Sequence, residues 1–161
     1  MNRILKNIVD AIYGTKRVRN RYQLAHPSET VLASDASKAI NPASNNDIKR
    51  GPDWVAAKRA VVLLTNQKLV CGDWEIPVET IASAKLLKIS SLLGSGQVLK
   101  VSTTTGKHYQ FGMQLNPEWT QQQVLPMTLE KGHLQYSIFS IVVRIILAAY
   151  LLFRVYEYFQ S

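Results

Sequence analysis

The feature that most constrains this chain is a long apolar run near its C-terminus, IFSIVVRIILAAYLLFRV at residues 138–155, with Arg144 in its middle. Such a run fits a helix that crosses a membrane, a helix buried in a core, or a helix lying on a surface. An 18-residue helix is about 27 Å long, close to the roughly 30 Å hydrocarbon core of a bilayer. We predict a transmembrane helix at residues 136–159. A helix lying in the membrane interface or docked on protein is the alternative.

Arg144 counts against a crossing but also indicates how the helix would pack. A central arginine costs about 2.5–3.5 kcal/mol, which roughly ten Ile, Val, Leu and Phe residues offset at about −0.3 to −0.6 kcal/mol each. Small and polar residues recur with Arg144 at three- and four-residue steps and therefore form one stripe. Small residues allow close helix packing and polar ones need partners in a membrane, so this stripe predicts a helix–helix docking face. Its members are Ser137, Ser140, Arg144, Ala148 and Leu151.

Residues 1–21 combine an apolar stripe with positive charge. Apolar residues recur at helical spacing between residues 4 and 13, and Gly14 and Thr15 are expected to end that helix before the sequence KRVRNR. We predict a basic amphipathic helix on an anionic membrane surface. The alternatives are a helix docked on its own protein and a basic arm on nucleic acid. The cations assigned to the membrane surface are Arg3, Lys6, Lys16, Arg17, Arg19 and Arg21.

Residues 22–126 are predicted to form a β-rich domain, because short apolar segments alternate with turn residues. Strands are expected in TVLASDA, AKRAVVLLT, KLVC, WEI and IASAKLLKI. QVLKVSTT and KHYQFGM are expected to form a hairpin that turns at Thr105 and Gly106. The segments INPASNNDIKRGPD and SSLLGSG are predicted to be loops because of their Gly, Pro, Asn and Ser content.

The end of this domain carries a helix signal in NPEWTQQQVLP. Asn116 suits an N-cap and Pro117 suits the first helical position, while Pro126 is expected to stop the helix. We therefore predict a helix at residues 117–125 that buries Trp119.

The order of these segments resembles the GRAM or bacterial PH-like domain family. The matching sequences are PSETVL, VVLLTNQKLVC, IPVETI and VLKVSTTTGKHYQFG, followed by the helix with Trp119. The resemblance implies a mainly β (α+β) fold, a PH-like small β-barrel or sandwich of seven strands capped by one helix. It also implies a binding or scaffolding module, often at membranes, in which Glu29 matches an acidic residue of the first strand.

Four further cations lie near the first hairpin loop of such a domain: Lys49, Arg50, Lys58 and Arg59. Lys and Arg beside exposed backbone N–H groups can add charge-assisted contacts to phosphate. Their spacing departs from that of phosphoinositide-binding PH domains. We therefore expect nonspecific attraction to anionic lipid, with ordinary solvated surface cations as the alternative.

The net charge and the motifs of the sequence limit which classes of function the protein can have. The net charge of +8 favours an anionic partner, either lipid headgroups or nucleic acid. Histidine, cysteine and acidic residues are not spaced as a metal site, and Cys71 is expected in the core. LLGSGQV contains only G-x-G and predicts no nucleotide site. We therefore predict no enzyme activity, no metal and no cofactor.

The predicted organisation has four parts: a basic amphipathic helix at 1–21, a PH-like domain at 22–126, a linker at 127–135 and the hydrophobic helix at 136–159. Because no apolar signal region precedes the basic domain, the domain is expected to stay cytoplasmic in a tail-anchored, single-pass protein. The predicted function is a non-enzymatic membrane-anchored module that recruits or scaffolds a partner, for example within a membrane complex. A peripheral anionic-lipid-binding protein that uses the N-terminal helix is the alternative.

Overall fold

The computed structural model describes residues 3–44, 48–50, 52–91, 94–132, 135–136 and 138–160. The described helices are α1 (Arg3–Tyr13), α2 (Thr15–Ala25), α3 (Pro52–Val55), α4 (Glu118–Gln121) and α5 (Ile138–Gln160), with a 3-10 turn at Val78–Thr80. The described strands are β1 (Val31–Ile40), β2 (Lys49–Arg50), β3 (Lys58–Thr65), β4 (Lys68–Cys71), β5 (Trp74–Pro77), β6 (Ile81–Ser91), β7 (Gly94–Thr103), β8 (His108–Gln114), β9 (Thr128–Gly132) and β10 (Gln135–Tyr136).

Eight of these strands form one sheet in the order β5-β4-β3-β1-β8-β7-β6-β9. β3, β4 and β5 are successive antiparallel neighbours, and so are β6, β7 and β8. β1 joins the two groups because it pairs with β3 on one side and with β8 on the other. β9 adds to the far edge in parallel with β6. The predicted mainly β (α+β) class is therefore confirmed.

One main core lies within the curled sheet. Along β3 the side chains alternate, so that Val62 belongs to this core whereas Leu63 belongs to a cluster on the other face. The main core joins Ile76 from β5 to Leu86 from β6, near opposite ends of the strand order. Since residues from both ends of the sheet pack in one cluster, the sheet folds over on itself in a sandwich-like or barrel-like arrangement.

The N-terminal helices cover part of the outer face of the sheet. Tyr13 of α1 and Tyr22 of α2 pack against an apolar cluster on β1, β3 and β4. Gly14, with a φ of 63°, separates the two helices in a conformation that favours glycine. The predicted end of the first helix is confirmed, so the segment 1–21 is divided between two helices, and the sequence KRVRNR after that end lies within α2. Thr15 is buried and Tyr22 packs against the sheet, so contact with the sheet stabilises a helix that the polar pattern of this sequence did not indicate.

Both predicted loops contain regular structure. The β6–β7 pairing continues from Ile81 opposite Thr103 to Ser91 opposite Gly94, so most of SSLLGSG is strand. Ladder hydrogen bonds outweigh the weak strand propensity of its Gly and Ser residues. The segment INPASNNDIKRGPD contains β2 and the first two residues of α3. Directly after this segment, Trp54 of α3 lies against Gly112, where an added Cβ would come within 2.8 Å of the indole ring.

The helix predicted at residues 117–125 is only one turn long, at α4. The chain then turns, and the Gln122 side chain bonds the backbone of Leu125 through both its oxygen and its nitrogen, each at 2.8 Å. Trp119 is fully buried, as predicted. The expected linker at 127–135 contains β9 and the start of β10, because β9 pairs with the exposed edge of β6.

The predicted C-terminal helix is present as α5, which has 23 residues. Within the described part of the chain, however, no helix has both the length and the apolarity needed to cross a membrane. The crossing predicted at residues 136–159 is therefore not found among the described residues.

Candidate functional site

α1 is attached to the sheet through ion pairs. Lys6 Nζ lies 2.7 Å from Asp10 Oδ2 in the same helix and 3.2 Å from Asp35 Oδ1 in β1. Thr15 Oγ1 donates to Asp10 Oδ1 at 3.1 Å, which ties the start of α2 to the same carboxylate. Lys6, assigned to a membrane surface from the sequence, is thus paired within the protein.

Asp35 is the buried end of this attachment, since its side chain has no exposed surface. Burial raises the pKa of Asp35 to about 6, although the charge and hydrogen bond of Lys6 counteract part of the rise. The carboxylate form therefore depends on α1 remaining in place to supply the positive charge.

Arg19 fastens α2 to both β1 and α4. Its guanidinium donates to Glu118 Oε1 at 2.7 Å, to Ser34 Oγ at 3.2 Å and to the Val31 carbonyl at 2.9 Å. The other Glu118 oxygen accepts from the Ser34 backbone N–H at 3.0 Å. The described pairing of β1 with β8 covers only residues 37–40, so these contacts satisfy backbone groups on the unpaired part of the β1 edge. Arg19, like Lys6, is a predicted membrane cation that is paired within the protein.

Glu29 forms a further attachment point for α2, immediately before β1. Tyr22 donates its hydroxyl to Glu29 Oε2 at 2.9 Å, and Lys68 Nζ lies 3.4 Å from Oε1. Burial raises the pKa of Glu29, but the hydrogen bonds from Thr65 and Tyr22 and the charge of Lys68 outweigh it, so the pKa lies below its usual value. This buried carboxylate therefore stays ionised at neutral pH.

The outward side of α1 and α2 combines apolar and cationic side chains. Ile12 is 76% exposed and Leu24 is 84% exposed, so the apolar stripe of α1 is only partly covered. Arg17 and Arg21 are exposed one helical turn apart, and neither forms an ion pair with a described residue. We call this region the N-terminal surface. It consists of Ile8, Ile12, Lys16, Arg17, Arg21 and Leu24.

The structure separates the four predicted loop cations. Lys49 and Arg50 form β2, which pairs in parallel with β10, and their side chains lie outside the described part. Lys58 forms an ion pair with Asp73. Arg59 lines a cavity of about 680 Å³ between β3 and the helices α1 and α2. Of these four, Arg59 is the cation that the structure brings next to the N-terminal surface. Arg3 lies in the first turn of α1, where its side chain is not described.

α5 exposes large apolar side chains around its whole circumference. The exposed fractions range from 46% at Val142 to 71% at Leu152. At about 100° per residue, these positions leave no arc wider than about 60° without an apolar side chain. α5 therefore differs from an amphipathic helix with one apolar stripe. The members of this surface are Val142, Val143, Ile145, Ile146, Leu147, Tyr150, Leu151, Leu152, Phe153, Val155 and Tyr156.

The helix-docking stripe predicted on α5 stays a prediction. Ala148 is exposed, whereas Ser137 and the side chains of Ser140 and Arg144 lie outside the described residues. Near the end of the helix, Arg154 Nη1 lies 3.0 Å from Glu157 Oε2.

No protein-family model, curated protein or solved structure matches this chain. The resemblance to GRAM and bacterial PH-like domains therefore rests on the order of sequence segments, and the family assignment stays a prediction.

Sequence reasoning missed the attachments of the N-terminal helices. Lys6 and Asp35 are 29 positions apart, and Arg19 and Glu118 are 99 positions apart, so local spacing gives no sign of either pair. The available signal was a single acidic residue, Asp35, near the end of the predicted strand TVLASDA. A charged residue inside a buried strand normally needs a partner of opposite charge.

Proposed function

We propose that the protein is a non-enzymatic, membrane-anchored module in which α5 holds a PH-like β-domain at a membrane and the domain recruits or scaffolds a partner. The bulk of the chain would face the cytoplasm. The observation that carries the proposal is the apolar surface that the described side chains of α5, between Val142 and Tyr156, expose on all sides of the helix. Apolar surfaces of this extent mark contacts with lipid or protein. A partner helix covers one stripe, whereas lipid chains can surround a helix, so lipid is the better fit.

The PH-like part of the proposal is supported by strand order. β1 is followed by the antiparallel group β3, β4 and β5 and then by the group β6, β7 and β8, which makes seven antiparallel strands. The one-turn α4 follows them and buries Trp119. This arrangement has the seven strands and the following helix that the resemblance implies.

Membrane flotation of the full chain tests the proposed anchor. We expect it to float with neutral liposomes and to remain with them after high salt and alkaline carbonate, because an apolar helix does not depend on charge. The variant with Ile146→Glu and Leu152→Glu should stay at the bottom of the gradient. Lys107→Glu, on an exposed turn of the β-domain, is the matched charge control and should float. Recovery of the wild-type chain in the liposome-free fraction would remove the anchor.

A peripheral role in binding anionic lipid is a second candidate, favoured by the N-terminal surface. Basic residues near an anionic membrane contribute about 1 kcal/mol each, so replacing Lys16, Arg17 and Arg21 by Ala should weaken binding to anionic vesicles by about two orders of magnitude. The effect should shrink at high salt, because exposed charges are screened. Equal binding of both proteins to anionic vesicles at low salt would argue against this surface.

A further inference from the structure

A cavity of about 440 Å³ opens between α4 and the end of the sheet formed by β6, β7 and β9. Its volume lies within the range of about 300–1,000 Å³ that small-ligand sites occupy. Leu86, Leu115 and Pro117 contribute apolar walls. None of its lining residues belongs to the N-terminal surface or to α5, so the preceding proposals leave it without a role.

Two rows of side chains cross the sheet beside this cavity. The lysine row consists of Lys131, Lys88 and Gln97, which lie opposite one another in β9, β6 and β7. The leucine row consists of Leu129, Leu86 and Leu99 in the same three strands. Opposed residues point to the same face, and the rows are two residues apart along each strand, or about 7 Å. The wall is therefore cationic in one row and apolar in the next.

The lysine row places two like charges directly against each other. Lys88 lies opposite Lys131, and like charges in this position destabilise a sheet. Neither lysine forms an ion pair with a described residue. Glu130, the acidic residue that also lines the cavity, is 3.0 Å from Lys85, which offsets its charge. Gln97 adds an enclosed Nε2 that has no hydrogen-bond partner in the described part of the chain. A bound anion would relieve the repulsion, and its oxygens could accept from Gln97 once the amide turns towards the cavity.

The position of the cavity along the chain indicates where such an anion would come from. β9 ends at Gly132 and α5 begins at Ile138, so five residues separate them and the two ends are at most about 22 Å apart. If α5 engages a membrane, the cavity stays close to the lipid surface. This step rests on the proposed function, whereas the cavity and its two rows do not.

We propose that this cavity binds a single-chain anionic lipid taken from the membrane. The head group lies against Lys88 and Lys131, and the acyl chain follows the leucine row into the cavity. Leu129, which is 65% exposed on the edge strand, is covered by that chain.

Photolabelling of the full chain tests the proposal. The protein is placed in nanodiscs of phosphatidylcholine that contain a long-chain fatty acid with a diazirine on its chain, and the adducts are mapped by mass spectrometry. We expect adducts at residues 115–120 and 128–131. Adducts confined to α5 would overturn the lipid site but support the membrane anchor. Adducts at the cavity of a protein that does not float with liposomes would support the lipid site but overturn the anchor.

Charge and volume variants sharpen the test. Lys88→Glu combined with Lys131→Glu should lower cavity labelling about tenfold, because two charge-assisted contacts are lost. Lys38→Glu combined with Lys107→Glu makes the same charge change at exposed positions away from the cavity and should leave labelling unchanged. An equal loss in both pairs would overturn the proposed head-group site.

Two further experiments distinguish a specific lipid site from nonspecific binding of an apolar chain. Thr120→Trp fills the cavity from an exposed position of α4 and should also lower labelling, with an unchanged circular dichroism spectrum confirming the fold. A diazirine probe of the same chain length with a trimethylammonium head should label the cavity weakly. Labelling as strong as that of the fatty acid would contradict the role given to the two lysines.

Discussion

The helices at the two ends of the chain differ in how they meet their surroundings. α1 and α2 contact the β-domain through ion pairs of Lys6 and Arg19 with Asp35 and Glu118. α5 instead carries large apolar side chains that are exposed on all sides. The basic N-terminal segment is therefore partly a structural element of the domain. The exposed apolar side chains of the C-terminal segment are available to contact lipid or protein.

The physical basis of this difference is the direction in which each helix presents its polar groups. α1 turns Lys6 and Asp10 towards the sheet and leaves Ile8 and Ile12 exposed. A buried ion pair is specific in geometry, because removing one partner leaves a charge without compensation. Apolar contact has no such requirement, so α5 can associate with any surface that excludes water.

The strongest test of this comparison is a matched pair of leucine truncations. Leu63→Ala removes a buried side chain beneath α1 and α2 and should lower the free energy of unfolding by about 2–5 kcal/mol. Leu152→Ala, on the exposed surface of α5, should change it by less than about 0.5 kcal/mol. Urea unfolding of both full-length variants in the same detergent, followed by tryptophan fluorescence, measures the difference. Equal losses would show that α5 is packed as firmly as the N-terminal helices.

The free energy of unfolding should also depend on pH through Asp35. Burial raises the pKa of Asp35 from 3.8 to about 6. Protonation of this carboxyl therefore stabilises the folded state most below about pH 4, and this stabilisation is lost as pH rises through about 6. Asp35→Asn removes this dependence on protonation, so the free energy of unfolding of the variant relative to wild type should increase by about 2 kcal/mol between pH 4 and pH 7. Chemical unfolding at several pH values measures the difference. Parallel pH profiles for the two proteins would contradict it.

A smaller effect is expected from Arg19, because its ion pair with Glu118 is partly exposed. Arg19→Ala loses contacts to Glu118, Ser34 and Val31, and we expect the free energy of unfolding to fall by about 1–2 kcal/mol after solvent screening. Arg21→Ala, an exposed arginine in the same helix, is the control and should stay within about 0.5 kcal/mol of wild type. Indistinguishable values for the two variants would show that α2 does not depend on this attachment.

Local pattern was sufficient for much of the fold. The continuous apolar run at residues 60–64 predicted β3, and the turn residues Thr105 and Gly106 predicted the β7–β8 hairpin, where Gly106 has a φ of 78°. Both depend on near neighbours, which a sequence pattern records directly. Local pattern was insufficient for SSLLGSG, where β6 and β7 continue as a ladder, and for KRVRNR, which is helical in α2. In those segments the partner strand or the docked sheet decided the structure.

The candidate sites show the same division. Cations could be found in the sequence, but their pairing could not, so Lys6 and Arg19 were grouped with the exposed Arg17 and Arg21. The lysine row was also beyond reach, because β9 was expected to be a linker and its register with β6 was unknown.

The sequence by itself determined the β-rich character of the middle of the chain, the α5 helix and the excess of positive charge, because each follows from local periodicity or composition. Only the tertiary structure decided which charges are paired and which are exposed. It also placed Lys88 opposite Lys131 at the cavity. The physical reason is that ion pairing and strand register depend on distances between residues far apart in the chain, and only the folded sheet sets those distances.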